Sequence, residues 1–123
     1  MLHFNEGDGA LSKVTEAGDV NVSNSKNGVN AGIEIPVCAL DEVCGDEKIT
    51  FIKMDVEGSE YKALLGAEKI ISCCKPKLAI SIYHNPEDIW ELPELILKMN
   101  PDYKFYIRHY SLAGEDTVLY AIP

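Results

Sequence analysis

From Ile49 to the end of the chain, the apolar residues switch repeatedly between the spacing of a strand and the spacing of a helix. Short apolar runs bounded by Gly, Pro or Asn are typical of buried strands in a parallel sheet. Longer segments with apolar residues three or four positions apart predict helices that pack on that sheet. The predicted elements are a strand over 49–55, a helix over 59–72, a strand over 77–83, a turn over 86–91, a helix over 92–99, and strands over 103–109 and 116–122. A short link joins the last two strands, so we expect them to be antiparallel neighbours.

The first 32 residues follow a different pattern. They hold five of the nine glycines and five asparagines, with apolar residues only at intervals. This composition predicts short edge strands or a hairpin joined by turns. We therefore divide the chain into residues 1–32, a polar strand, hairpin and loop segment, and residues 33–123, which carry the α/β pattern. The stretch 33–40 predicts a short strand that Pro36 places at a sheet edge or at a strand start. Asp41 is expected to cap a short helical turn.

The strand over 49–55 has the composition of a strand from the middle of a sheet, because it is rich in Ile, Phe and Met and contains no Pro or Gly. The chain clearly supplies only one parallel neighbour for it, over 77–83. We expect a partial α/β fold: the second half of a doubly wound, mostly parallel sheet with a terminal antiparallel strand, in a truncated chain. The first half of such a fold brings the glycine-rich turn that holds a nucleotide-like cofactor. The nearest candidates, residues 6–9 and 27–32, neither follow a buried strand nor open a helix, so no cofactor-binding residue is assigned.

Composition narrows the classes of function. The chain has 123 residues, of which 46% are hydrophobic, and a formal net charge of −9. This charge argues against a nucleic acid or an anionic membrane as a partner. No apolar run is long enough to span a bilayer, and residues 1–20 lack the apolar core of a signal peptide, so we expect a cytoplasmic protein. The four cysteines show neither zinc-ligand spacing nor a disulfide framework, and we expect them to be reduced.

The candidate chemistry lies where the two parallel strands end. Asp55 and Glu57 follow the first strand, and His84 follows the second. Ligands of open α/β sheets bind at this carboxyl edge, so a carboxylate there can take a proton from a substrate or hold a cation, and an imidazole can act as a base or orient an acceptor. The alternative is structural: Asp55 caps the next helix, Glu57 complements its dipole, and His84 leads into the following turn. Gly58 is expected to serve a tight turn.

Other polar and aromatic residues have less direct interpretations. Glu60 is assigned to the first turn of the helix in preference to the site. His109 ends a strand of undetermined direction, and Arg108 either contacts an anionic acceptor or is a solvated charge at the sheet edge. Trp90 and Tyr61, at helical spacing, are predicted to lie in the core.

Several segments resemble the C-terminal half of the FkbM-type methyltransferases, in the order and spacing of that family. They are Leu40-Asp41-Glu42, Ile52-Lys53-Met54-Asp55-Val56-Glu57-Gly58-Ser59-Glu60, Leu64-Leu65-Gly66-Ala67, Lys75-Pro76-Lys77-Leu78-Ala79-Ile80-Ser81-Ile82-Tyr83-His84, and the ending with Tyr103, Arg108-His109-Tyr110 and Val118-Leu119-Tyr120-Ala121. The resemblance covers residues 34–123. It implies a Rossmann-like class I methyltransferase fold that uses S-adenosylmethionine, usually for O-methylation of small molecules or glycans. Asp55 would then end the fourth strand of that fold, beside the place where the donor methyl group meets its acceptor.

The resemblance therefore predicts an S-adenosylmethionine-dependent methyltransferase with a small-molecule or glycan acceptor, in a chain that lacks most of the cofactor-binding site. The alternative is a non-catalytic binding or subunit module that forms an oligomer by pairing its open sheet edge with a partner. A divalent-metal protein built on Asp55, Glu57 and Glu60 is the third interpretation. Because the spacing of these acids matches no EF-hand loop, no metal ligand is assigned from the sequence.

Overall fold

In the computed structural model, the chain separates into two units, Met1–Val37 and Cys38–Pro123. The structure describes residues 2–5, 13–16, 33–112 and 115–123. The division predicted from the sequence, a polar segment over residues 1–32 and an α/β region over residues 33–123, stays a prediction.

The first unit contains a three-stranded antiparallel sheet. Its strands are β1 (Leu2–Asn5), β2 (Lys13–Glu16) and β3 (Ile33–Ile35), in the order β2-β1-β3. The pairing of β1 with β2 confirms the predicted antiparallel strands, and β3 pairs with the other side of β1. The strand predicted over 33–40 ends early, directly before Pro36, since proline has no N–H group for a sheet ladder. The segments 6–9 and 27–32 lie outside the described residues.

The second unit contains a four-stranded sheet with helices. The helices are α1 (Leu40–Cys44), α2 (Glu60–Leu65), α3 (Glu68–Cys74) and α4 (Asp88–Met99), and the strands are β4 (Phe51–Met54), β5 (Lys77–Ser81), β6 (Lys104–His109) and β7 (Thr117–Ile122). All four predicted strands of this region are therefore confirmed, with ends that differ by one or two residues.

The strand directions confirm the predicted fold class. The sheet has the order β4-β5-β7-β6, in which β4 and β5 are parallel and β7 is antiparallel to both of its neighbours. Consequently β4, β5 and β6 run in one direction. The last strand, β7, lies between β5 and β6 and runs in the opposite direction. This is a mixed α/β, partial Rossmann-like fold. Within the described residues β4 pairs only with β5, so β4 lies at one end of the sheet.

The core lies between the sheet and the helices that cover it. Its completely buried side chains come from α2, α3, α4 and the two inner strands: Leu64, Ile71, Leu78, Ile80, Leu92, Ile96 and Leu119. Tyr103 is also buried, and its hydroxyl donates a 2.6 Å hydrogen bond to the Pro76 carbonyl. Burial raises the pKa of Tyr103 to about 12, which keeps this donor protonated. The predicted core positions of Trp90 and Tyr61 are wrong, because both side chains are exposed.

The prediction of a single helix over 59–72 is wrong in one respect. The structure has two helices there, α2 and α3, which are separated at Gly66 and Ala67. The start of α1 docks at this break. Ala39 approaches so closely that a Cβ atom on Gly66 would lie 3.3 Å from the Ala39 Cβ, and the Asp41 amide donates to the Gly66 carbonyl at 2.9 Å. The Gly66 carbonyl, which would accept a hydrogen bond within a continuous helix, therefore accepts one from the distant Asp41 amide instead.

Asp41 caps a helix other than the one predicted. It lies inside α1, and its carboxylate accepts hydrogen bonds of 2.9 Å from the backbone amides of Lys69 and Ile70 in the first turn of α3. Helix N-termini leave such amides without intrahelical partners, and a carboxylate there also complements the helix dipole. Asp41 thus connects α1 to α3 and stabilises the restart of the helix.

Replacing Asp41 by Ala should lower the free energy of unfolding by about 1–2 kcal/mol, since two amides of α3 lose their acceptor. Urea denaturation followed by circular dichroism would measure this loss. The matched control is Asp46→Ala, because Asp46 is exposed and its carboxylate accepts no hydrogen bond from the described residues. Equal stability of the two variants would contradict the capping role.

The prediction of a turn over 86–91 followed by a helix over 92–99 is also wrong. The single helix α4 begins at Asp88 and continues through Pro93. Proline removes the hydrogen bond to the carbonyl four residues back and crowds that carbonyl, while the amides of Trp90 and Glu91 are held by the Glu87 carbonyl. Burial of the apolar face of α4 outweighs this local cost.

Among the described residues, no helix is both long and apolar enough to cross a membrane. Cys38, Cys44, Cys73 and Cys74 are free cysteines in the structure, and their reduced state stays a prediction.

Candidate functional site

The candidate site lies where β4 and β5 end. These strands are parallel neighbours with Met54 paired to Ile80, so the residues that follow them emerge at the same edge of the sheet. Asp55 comes directly after β4, and His84 comes three residues after β5. The topology therefore brings together two segments that are far apart in sequence.

A tight turn leads from β4 into α2. Glu57 and Gly58 both have positive φ angles, 53° and 88°, and the Ser59 amide donates to the Val56 carbonyl at 3.1 Å. The left-handed backbone at Gly58 confirms that this glycine serves turn geometry. A Cβ atom there would also lie 3.4 Å from the side-chain nitrogen of Asn85, in the loop after β5. The turn thus fixes the positions of the acids on either side of it.

His84 is the centre of the cluster. Its side chain is only 8% exposed, and its Nε2 atom lies 3.7 Å from Asp55 Oδ1 and 3.5 Å from Glu57 Oε2. The Asp55 and Glu57 carboxylates are about 40% exposed, so they form the solvent-facing side of the cluster. The structure therefore brings together the three residues proposed as catalytic from the sequence.

Glu60 lies on the buried side of the same imidazole. It is the first residue of α2, and its side chain is completely buried. Its Oε1 atom accepts a 2.9 Å hydrogen bond from the Val56 amide and lies 2.9 Å from His84 Nδ1. The sequence favours the first helical turn over the site for Glu60, whereas the structure places it both there and against His84.

Three atoms in this cluster have no hydrogen-bond partner among the described residues: Oε2 of Glu60 and both ring nitrogens of His84. Nδ1 of His84 and Oε1 of Glu60 are only 2.9 Å apart, but the contact does not have the geometry of a hydrogen bond. Buried polar atoms without partners are rare in folded proteins and are characteristic of functional sites.

Tyr83 is a member of the cluster that sequence reasoning missed. Its hydroxyl donates a 3.1 Å hydrogen bond to Asp55 Oδ1, and its ring lies 4.0 Å from the His84 ring, centroid to centroid. Burial, followed by the hydrogen bond to Asp55 and the negative charge there, raises the pKa of Tyr83 to about 12.

His109 and Arg108 lie at the end of β6, and both are exposed. His109 Nδ1 is 2.8 Å from the hydroxyl of Thr117 on β7. Within the described residues, neither side chain contacts the His84 cluster, and their roles as site residues stay predictions.

The cluster can carry out two kinds of chemistry. Three carboxylates around one imidazole can accept a proton from a neutral substrate, and they can also bind a cation. One ligand atom from each of Asp55, Glu60 and His84 lies within 4.8 Å of the others, which is close enough for a single metal ion. The local negative charge disfavours an anionic substrate.

Comparison with known proteins places the chain in a family. The family model of the methyltransferase FkbM domain matches residues 3–107. A solved structure, the methyltransferase FkbM from Methylobacillus flagellatus KT, is 48% identical with a TM-score of 0.64. The match covers 68% of this chain and 22% of that one, so the chain spans less than a quarter of that protein. No curated protein matches significantly. The match over most of the chain shows that it belongs to the methyltransferase FkbM domain family.

Proposed function

We propose that this chain forms the acceptor side of an S-adenosylmethionine-dependent methyltransferase that modifies a hydroxyl group of a small molecule or glycan. One observation carries the proposal: Asp55, at the end of β4, meets Tyr83 and His84, at the end of the adjacent parallel strand. Ligands of open α/β sheets bind at this edge, and membership of the family supplies the reaction type.

The proposed task of these residues is to orient the acceptor hydroxyl and remove its proton. Asp55 is half-exposed and can reach a bound substrate, while the hydrogen bond from Tyr83 fixes the orientation of its carboxylate. Glu57 and Glu60 add negative charge around the same position, which favours a neutral acceptor over a phosphate or carboxylate. The acceptor is therefore proposed to be an alcohol or sugar hydroxyl.

The described residues do not fit the role of donor-binding residues. The turns after β4 and β5 carry acids and a histidine, and no described turn after a buried strand is glycine-rich. Such a turn is what holds a nucleotide-like cofactor in this class of fold. We therefore derive no step through the donor and assign it no residue of this chain.

The alternative function is a subunit module that pairs the free side of β4 with a partner. It is favoured by the position of β4 at the end of its sheet, where Phe51 is exposed. It predicts a stable oligomer of defined size, which size-exclusion chromatography coupled to light scattering would detect. Substitution of Thr50 by Pro beside that edge should then dissociate the oligomer.

Calorimetric titration of S-adenosylmethionine tests the proposed function. We expect the full-length Methylobacillus flagellatus enzyme to bind the donor and this chain to give no detectable heat, because the sequence lacks the glycine-rich turn. Absence of binding to the full-length enzyme would overturn the proposed donor. Micromolar binding to this chain alone would show that its residues hold the donor after all.

A further inference from the structure

We infer that Asp55, Glu60 and His84 bind a divalent transition-metal cation. The three side chains present ligand atoms within 4.8 Å of one another. From the sequence, a divalent-metal protein on Asp55, Glu57 and Glu60 is the third interpretation, and no ligand is assigned because the spacing of these acids matches no EF-hand loop. His84, which lies 24 residues beyond Glu60, is not among those three residues. The fold creates the cluster by joining the ends of β4 and β5.

Burial is the first argument for a cation. Glu60 is completely buried, and the His84 side chain is 8% exposed. Glu60 Oε2 and both nitrogens of His84 have no hydrogen-bond partner among the described residues. A buried carboxylate without compensation is costly, and paired charges or metal coordination are the usual means of compensation.

The geometry of the short contact is the second argument. His84 Nδ1 and Glu60 Oε1 are 2.9 Å apart, yet Nδ1 has no hydrogen-bond partner among the described residues. Two ligands at right angles around a metal, each bonded at about 2.1 Å, are about 3.0 Å apart. The separation therefore fits two ligands of one ion.

The ligand types determine the class of cation. Mg²⁺ and Ca²⁺ prefer oxygen ligands alone, whereas an imidazole nitrogen with two carboxylates suits Mn²⁺, Fe²⁺ or Zn²⁺. Among the described residues three offer ligand atoms, which leaves coordination positions open to solvent or substrate. Asp55 is exposed to 39%, so an ion can enter from its side, and the nearby Glu57 carboxylate adds attraction. Glu57 is not assigned as a ligand.

Metal binding does not depend on the proposed methyl transfer, so it can be tested on this chain directly. The probe is Mn²⁺, because the four free thiols would compete for Zn²⁺ but bind Mn²⁺ poorly. Chelator-treated protein is titrated with Mn²⁺, free Mn²⁺ is followed by electron paramagnetic resonance, and histidine ring signals are followed by NMR. We expect saturable 1:1 binding that broadens the His84 signals more strongly than those of His109, which lies on β6, two strands away from β5.

Variants identify the ligands. Glu60→Gln, Asp55→Asn and His84→Gln should each lower the affinity for Mn²⁺ by more than about 100-fold, since even outer partners of ligands are worth 10–100-fold. The matched control is Glu94→Gln, which loses the same charge on the exposed surface of α4, where Glu94 pairs with Lys98 at 2.8 Å. It should bind like the original protein.

Several outcomes would overturn the inference. These are no saturable binding to the original protein, stronger broadening of the His109 signals than of the His84 signals, or unchanged affinity in a folded Asp55→Asn variant. A Glu57→Gln variant that loses binding while Glu60→Gln retains it would also overturn the assignment of ligands. Because Asp55 is exposed, its variant should fold even if the buried substitutions do not. Donor titration of the full-length enzyme tests methyl transfer separately.

Discussion

Replacing Asp55 by Asn in a full-length family member that carries this cluster should lower turnover by about 10²-fold or more. The amide has nearly the same shape as the carboxylate but can neither accept a proton nor carry the negative charge. In this structure the carboxylate lies at the end of β4, half-exposed, and holds a hydrogen bond from Tyr83. Single-turnover kinetics with labelled S-adenosylmethionine would separate a loss in the chemical step from a loss in binding.

Tyr83→Phe is the matched control for this experiment. It removes the 3.1 Å hydrogen bond to Asp55 but keeps the carboxylate, so turnover should fall by less than about 10-fold, equivalent to roughly 1 kcal/mol. Near-normal turnover in Asp55→Asn would assign Asp55 to the turn before α2 instead of to the reaction. A loss in Tyr83→Phe as large as that in Asp55→Asn would show that the orientation of the carboxylate, and not its charge, limits the rate.

The sequence was sufficient to predict which strands would deliver the site. Apolar runs ending at Asp55 and before His84 predict parallel neighbours, and parallel neighbours place their ends at one edge of the sheet. The roles of Glu60 and Tyr83 could not be predicted in the same way. The position of Glu60 depends on the positive φ angles at Glu57 and Gly58, which fold the chain back so that a first-turn glutamate faces His84.

The errors in the helices also have one physical cause, which is long-range contact. The division of the helix at Gly66 results from the docking of α1. The hydrogen bonds of the Asp41 cap join Asp41 to residues that lie 28 and 29 positions further along the chain. The spacing of apolar residues within a short stretch of sequence carries no information about such contacts. Likewise, Pro93 was expected to interrupt α4 on local grounds, but burial of Leu92 and Ile96 maintains the helix.

Replacing Ile80 by Ala should lower the free energy of unfolding by about 2–5 kcal/mol. Ile80 is completely buried in β5, where it is paired with Met54 of β4 on one side and with Leu119 of β7 on the other. Truncation leaves a cavity between two strand neighbours that cannot both move inward without disturbing the ladder. Urea denaturation, followed by the fluorescence of the single tryptophan, would measure the loss.

The matched control is Ile107→Ala, which removes the same atoms from a side chain on β6 that is 53% exposed. It should cost less than about 1 kcal/mol, since mainly strand propensity changes there. A similar cost at the two positions would contradict the placement of β5 as an inner strand. Because β5 carries Tyr83 and His84 at its end, loosening this strand should also lower the affinity for Mn²⁺, whereas Ile107→Ala should leave the affinity unchanged. Stability and cation binding would then fall together in one variant and be retained in the other, which links the packing of the sheet directly to the geometry of the site.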